Sequence, residues 1–380
     1  MWCNLLFTGW RLWRGDPLRA AGGVAVFAAV VALMLVFEGL RFGIVEDLRA
    51  FPTALPADFV VVEKDIGQFA VMASNLPQIS RQQVEAVSGV ESVEPLALAP
   101  VIFTWNGLKT PALILAYDRE LFPKQLFSGR RVQNPHEAVI DSALAKRHQL
   151  KLGDMIEILD YELSVVGISS GTTSPFAPYV FLYYDDLIDL ALEADMAIGA
   201  DDYSLVSVLL VKSVAGTDLQ RLRAEIEAAV PEEDVYRPAE LGARDAEFGW
   251  RLLGPVLLLT TSTAWLIGIL VMGFLRYAEV QARLQEYGVQ KALGADTLFL
   301  AGVMAVGALA LVLFAFPLGF GLASGLAVLI QDWNPLYSVM LTQPKVIAGA
   351  LLAVVSAAIV GSLIPLNRLR RLDATLVFQR

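Results

Sequence analysis

Four stretches of the chain are almost free of charge: residues 20–37, 252–275, 298–330 and 346–366. A helix of ~20 apolar residues crosses the hydrocarbon core of a bilayer, so each stretch predicts a span. Only hydroxyls, at Thr260, Thr261, Ser262 and Thr263, interrupt the second. The third is longer than a straight crossing needs and is expected to tilt or project, with Pro317 a place for a kink. Between the first two stretches the pattern changes. Short β-branched runs at 59–63, 101–105, 112–116, 155–159, 162–168 and 205–211 read as strands. Helical spacing recurs between them: from Ser80 as a cap to about Ser88, after Asp141, and from Thr217 through Leu219, Leu222 and Ile226. Residues 60–115 and 205–235 predict two parts of one layer, with 117–202 as an insertion. The fold class expected is an α-helical membrane protein. It has four transmembrane helices and a large α+β extracytoplasmic domain inserted between helices 1 and 2.

Charge orients this plan. Arg11, Arg14 and Arg19 precede the first span; Arg276, Arg283 and Lys291 lie between the second and third; Arg368, Arg370, Arg371 and Arg380 follow the fourth. The 331–345 loop has Lys345 as its basic residue. The positive-inside rule places both termini and the 276–297 loop in the cytoplasm. Residues 41–251 then lie outside, with 18 basic and 32 acidic residues, net −14, against +4 for the rest. The plan is a cytoplasmic amphipathic helix (1–19), spans at 20–40, 252–275, 298–330 and 346–366, an outer domain (41–251), a cytoplasmic helix (276–297) and a cytoplasmic tail (367–380). In the first segment Trp2, Phe7, Trp10 and Trp13 with Arg11 and Arg14 suit the headgroup layer. The first span is too long in its apolar core, and too strongly preceded by Arg and aromatics, for a cleaved signal peptide. Residues 42–48 and 241–253 continue the first two spans outward as stalks.

Composition narrows the function. Hydrophobic residues make up 56% and charged residues 18%, where a soluble domain has ~25% charged. The net charge of −10 argues against a nucleic-acid binder. Cys3 is the single cysteine and there are two histidines, so neither a disulfide scaffold nor a Cys/His metal framework is available. Gly167-Ile-Ser-Ser-Gly171 has the form of a nucleophile elbow. However, the Pro-containing segment 172–178 cannot start the required helix, and both His136 and His148 precede Ser169. The acidic residues Asp185, Asp186, Asp189, Glu193, Asp195, Asp201 and Asp202 lack the spacing of a calcium loop and read as a solvated face.

The 276–297 loop carries the most specific string. Val280, Leu284 and Tyr287 fall at helical spacing, which predicts a short amphipathic helix at the membrane surface with Gly294 as its C-cap. Periodicity alone fits a plain connector equally well. Glu286-Tyr-Gly-Val-Gln-Lys-Ala-Leu-Gly-Ala295 resembles the E-x-G-x-x-[KR]-A-[LI]-G-A stretch of the FtsX/MacB-like (type VII) permeases of ABC transporters, in the same place after the second of four spans. Arg371-Leu-Asp-Ala-Thr-Leu376 is similar to the family's tail pattern, with Ala374 for the usual proline. Ala138-Val-Ile-Asp141, Leu152-Gly-Asp154 and Val165-Val-Gly-Ile168 resemble its outer-domain pattern, in which a Gly-Asp turn joins strands. The Arg-dense run normally before the Glu is thinned to Gln281, Arg283 and Gln285.

The resemblance implies a permease subunit of the bacterial cytoplasmic (inner) membrane that is not itself an enzyme. Two such permeases, as a homodimer, would pair with two ABC ATPase subunits. ATP and Mg would sit on the ATPase, since the chain has no G-x-x-x-x-G-K-[ST] phosphate loop, and no cofactor is expected on this chain. It also implies that Arg283, Glu286, Gly288, Lys291, Leu293 and Gly294 couple to that ATPase, and that ATP-driven closure moves the outer domain. Export, often with a periplasmic adaptor protein, is the leading expectation. The alternative is an FtsX-like signal transducer that switches a cell-wall hydrolase and moves nothing. Ala21, Ala25, Ala29 and Ala32 on the first span and Gly321 and Gly325 on the third form small-residue stripes, which serve equally for packing within one chain or as a dimer seam. Glu38, at the outer end of the first span, is either hydrated or lines an outer entrance between subunits; its interfacial depth favours hydration.

Overall fold

The computed structural model describes residues 17–69, 74–118, 123, 125–172, 174, 176–193 and 206–366. Most of the N-terminal amphipathic segment, Asp195, Asp201 and Asp202, and the tail from 367 lie outside them. In chain order the elements are α1 (Pro17–Thr53), β1 (Phe59–Glu63), α2 (Gln78–Glu85), β2 (Val90–Trp105), β3 (Leu108–Tyr117), β4 (Leu126–Gly129), β5 (Glu137–Asp141), α3 (Ser142–His148), β6 (Met155–Ile158), β7 (Tyr161–Ser169), β8 (Tyr179–Tyr183), α4 (Tyr184–Glu193), β9 (Val208–Ser213), α5 (Leu219–Ala229), β10 (Glu233–Tyr236), α6 (Pro238–Ala282), α7 (Leu284–Ala292), α8 (Thr297–Trp333) and α9 (Pro344–Leu363). Contacts divide the chain into a unit of residues 1–43, 253–330 and 339–380, and a unit of residues 44–252 with 331–338.

Four helices, α1, α6, α8 and α9, are long and apolar enough to cross a membrane, and the mixed α/β domain lies between the first and second of them. Within the membrane unit, Phe27, Ala28, Val31 and Leu35 of α1 are fully buried against α6, α8 and α9. Small residues set how close the helices come. A Cβ on Gly319 of α8 would lie 2.7 Å from the Ala28 carbonyl oxygen, and one on Gly361 of α9 would lie 2.6 Å from that of Ile269. Ala32 is also buried and packs within the chain. α8 runs through Pro317 without a break.

The unit of residues 44–252 with 331–338 is built on one ten-stranded sheet ordered β10-β1-β9-β2-β3-β8-β5-β7-β4, with β6 also on β7. β1, β9, β10 and the long β2–β3 hairpin form the layer expected from residues 60–115 and 205–235. The middle of the chain is less an insertion than an extension of the same sheet: β8 joins β3 in parallel and carries β5 and β7 with it. Asn106 and Gly107, both at positive φ, close the β2–β3 hairpin between the paired residues Trp105 and Leu108, the two-residue turn that matches strand twist. Both faces of the first half are covered, so β1 reads as a continuous apolar run. Phe59 and Val61 face Val84 of α2 and Leu222 and Ile226 of α5. Val60 and Val62 face the other way, onto Phe51 at the end of α1, Leu55 just beyond it and Leu241 of α6. A third cluster sets Leu144 of α3 and Leu187 and Leu190 of α4 against β3, β5, β7 and β8.

Two helix starts differ from expectation. Ser80 lies inside α2 and donates its hydroxyl to Glu233 instead of capping. α5 is capped by Asp218, whose side chain accepts from the Gln220 N–H at 2.9 Å, and not by Thr217. A carboxylate one residue nearer the first free N–H groups is the better acceptor. Asp141 does cap α3, accepting from the Ala143 N–H at 2.7 Å.

In the sheet unit the end of α1 and the start of α6 lie against each other. A Cβ on Gly242 would come within 2.7 Å of the Arg49 carbonyl oxygen, so a larger residue there forces the two helices apart. Both helices then enter the sheet's core.

Candidate coupling site and outward faces

The segment expected as one helix over 276–297 is two. Residues 276–282 complete α6, and the ladder breaks at Arg283 (φ −121°, ψ 27°), after which α7 runs to Ala292. Arg276, counted in the sequence as a loop charge, is buried. It ion-pairs with Glu279 and donates from Nη2 to the Gly307 carbonyl oxygen of α8 at 2.8 Å. Its position beside the charge-free stretch was the only hint of that role. Val280 and Tyr287 pack with Leu300 and Met304 of α8. One face of α6–α7 is thereby fixed to α8.

The opposite face is open. Leu293 is 84% exposed, Val289 is 43% exposed, and Gln285 and Glu286 are exposed. Arg283 reaches Glu286 at 3.9 Å. Gly294 has φ +90° and its N–H bonds the Lys291 carbonyl at 3.0 Å, so the chain leaves α7 through a left-handed residue that glycine adopts without strain. Asp296 then accepts from the Thr297 N–H at 2.6 Å and its carbonyl receives the Leu300 N–H, which starts α8. Of the residues that the motif singled out, Glu286, Leu293 and Gly294 are outward, Arg283 and Lys291 are half-buried, and Gly288 is buried against its own chain. Gly288 serves internal packing and is not on the open face.

The small-residue stripes are also outward. Ala21, Ala25 and Ala29 are exposed, as are Gly321 and Gly325, and a Cβ on either glycine would meet nothing within 4 Å. Glu38 is ion-paired with Arg41 and only 14% exposed in its side chain. Its Oε1 would lie 3.2 Å from a Cβ on Gly349 of α9. It is a paired, packed carboxylate and not a freely hydrated one.

The hydrolase-like string is structural. Ser169 is fully buried at the end of β7 and shares a 2.6 Å hydrogen bond with Thr172, which donates to Asp141 at 2.6 Å. His148 is bound to Thr110 at 2.9 Å, with burial pushing its imidazole pKa down. The Leu152-Gly-Asp154 string is a turn: Asp154 accepts from the Lys151 N–H at 2.8 Å, and the Gly153 N–H bonds the Val165 carbonyl at 2.8 Å. In the acidic segment, Asp186 is buried, accepting from the Tyr161 hydroxyl and the His136 N–H, each at 2.9 Å. Among the described residues no group of three or more His, Cys, Asp or Glu is placed to hold a metal.

Comparison with known proteins gives this arrangement its class. Residues 20–229 match the MacB-like periplasmic core domain, and residues 256–374 match the FtsX-like permease C-terminal domain. The chain belongs to the MacB/FtsX family of ABC transporter permeases. The uncharacterized ABC transporter permease Rv0072 of Mycobacterium tuberculosis is 26% identical over 87% of this chain and 86% of its own length. The uncharacterized permease Mb2592 of Mycobacterium bovis is 24% identical over 95% of this chain and 94% of its own. Among solved structures, the periplasmic region of MacB from Actinobacillus actinomycetemcomitans aligns with TM-score 0.38 and 13% identity, over 51% of this chain and 94% of that one. The extracellular domain of the noncanonic ABC-type transporter YknZ from Gram-positive bacteria aligns with TM-score 0.36 and 11% identity, over 48% of this chain and all of that one.

Proposed function

We propose that this chain is the permease of an ABC exporter and converts ATP-driven closure of a separate ATPase subunit into movement of its outer domain. The observation that carries the reading is the two-sided coupling segment. Tyr287 and Val280 fix one face to α8, while Leu293, 84% exposed, stands on the other. Leu293 and Val289, both exposed there, offer a partner apolar surface whose burial would be favourable. Glu286 at the rim would set the docking register, as rim charges do at other interfaces. At the far ends of α1 and α6, Phe51 and Leu241 sit in the core of the sheet domain, so displacement of either helix there must disturb that core.

The same reading places the protein in the bacterial cytoplasmic membrane with both termini inside, on the charge asymmetry of the loops. It pairs two copies along the outward stripes of Ala21, Ala25, Ala29, Gly321 and Gly325, where close backbone approach is open. A periplasmic adaptor would meet the outer domain. Substrate need not cross the spans. The test is Leu293→Asp in the complex with its ATPase. The variant should fold normally yet lose ATPase association or transport-linked hydrolysis. Normal assembly and transport by that variant would contradict the reading.

A further inference from the structure

α3, the last turn of α8 and the loop that follows it share a cleft of about 80 Å³, lined in part by Ser142, Lys146, Gln331, Pro335, Tyr337 and Ser338. These residues all belong to the sheet unit. Gln331 follows directly on the apolar stretch ending at Ile330, and the next membrane helix starts at Pro344. A loop this short between two spans stays close to headgroup depth. Trp333 at the end of α8 is 89% exposed and Tyr337 in the loop 38% exposed, and aromatics of this kind favour the membrane–water interface. Lys146 lines the same cleft as these loop residues.

Lys146 is the charged side chain in the lining of the cleft. Lys146 is exposed and, among the described residues, its ammonium has neither an ion pair nor a hydrogen bond. Asp47 and Asp141 keep their negative charge, but neither lines the cleft and both turn their oxygens to other donors. Asp47 accepts from the Ser338 hydroxyl, and Asp141 from the Ala143 N–H and the Thr172 hydroxyl. The Ser142 hydroxyl, the Gln331 amide and the Tyr337 hydroxyl border the same space as donors.

We propose that this cleft holds the phosphate group of a phospholipid from the leaflet on the outer domain's side. Its volume admits a phosphate-sized group and not acyl chains, which stay in the bilayer. Lys146 supplies the charge and the loop supplies neutral donors. The inference rests on the four-span reading alone. The outer domain and the 331–345 loop lie on the same side whichever way the chain is oriented, and no ATPase is involved.

The experiment is native mass spectrometry of the full-length, delipidated chain in detergent, titrated with short-chain phosphatidylglycerol, with inorganic phosphate in a parallel arm. The wild-type chain and Lys212→Ala, an exposed lysine on β9, should retain one tightly held lipid per chain. Lys146→Ala should weaken that lipid about fivefold, and Lys146→Arg should restore it. Inorganic phosphate should not be retained. The proposal is overturned if Lys146→Ala retains lipid as well as the wild type does, if Lys212→Ala loses it equally, or if inorganic phosphate binds as well as the lipid. Thermal melting of each variant separates loss of the site from loss of the fold.

Discussion

Phe51 of α1 stacks on Tyr179 of β8, with ring centroids 4.7 Å apart and planes 28° from parallel. Phe69 and Phe181 complete the cluster at 5.5 and 6.3 Å from Phe51. The first long helix thus ends as a buried side chain in the sheet core. Phe51→Ala removes a buried aromatic, a change that costs ~3–5 kcal/mol in well-packed cores. Thermal unfolding of the full-length chain in detergent should therefore begin at lower temperature. ATPase association through Leu293 should stay normal. An unchanged melting curve would show that the helix end is not seated as described.

The outward stripes give a separate expectation. A Cβ placed on Gly321 or Gly325 has no neighbour on its own chain within 4 Å, so replacing both with Leu should leave the melting of the single chain nearly unchanged. If the stripe is a dimer seam, the bulkier side chains hold two backbones apart. Cross-linking or mass photometry should then report loss of the pair. A variant that still pairs normally would move the seam elsewhere.

A pH effect belongs to the outer domain. Arg130 donates to the Glu137 carboxylate at 2.6 Å. This bond, with help from the Asn134 side chain and the Gln133 and Asn134 N–H groups and against the effect of burial, lowers the Glu137 pKa from 4.5 to about 2. A depressed acid stabilises the fold above its unfolded pKa and loses that contribution as pH falls through its folded value. The melting advantage of the wild type over Glu137→Gln should therefore be full above pH 4.5 and fade between 4.5 and 2. An advantage that grows on acidification would contradict the assignment.

Orientation is tested by labelling. On a background in which Cys3 is replaced by Ser, single cysteines at Ser170 and Asp202 should react with a membrane-impermeant maleimide in intact cells. Cysteines at Gln285 and Gln379 should react only after lysis. The reverse pattern at either pair would overturn the topology.

Much of the fold was legible because its signals are local. Spans announce themselves by apolar length, and β1 and the Asp141-capped α3 by short patterns between turns. β2 was seen only at its end, because Pro95 and Pro100 argue against a strand that long. The Asn106-Gly107 turn was the signal that both arms of the hairpin were longer. β8, Tyr179–Tyr183, is a continuous apolar run after Pro178, and its parallel pairing with β3 is a long-range fact with no local mark. At the coupling segment, helical spacing placed Val280 and Tyr287 on one face. The break at Arg283 had no Gly or Pro to announce it. The burial of Arg276 depends on a carbonyl of α8, 31 residues away.

The central claim, that ATP on a partner moves the outer domain through these helices, is tested most directly by pulsed-EPR distances in the assembled complex. A spin label replaces the exposed Arg49 near the outer end of α1 in each copy, on the Cys3-replaced background. The account predicts one distance distribution without nucleotide and a shifted one with a non-hydrolysable ATP analogue, with the shift abolished by Leu293→Asp. The same distribution in both nucleotide states of the wild-type complex would contradict it.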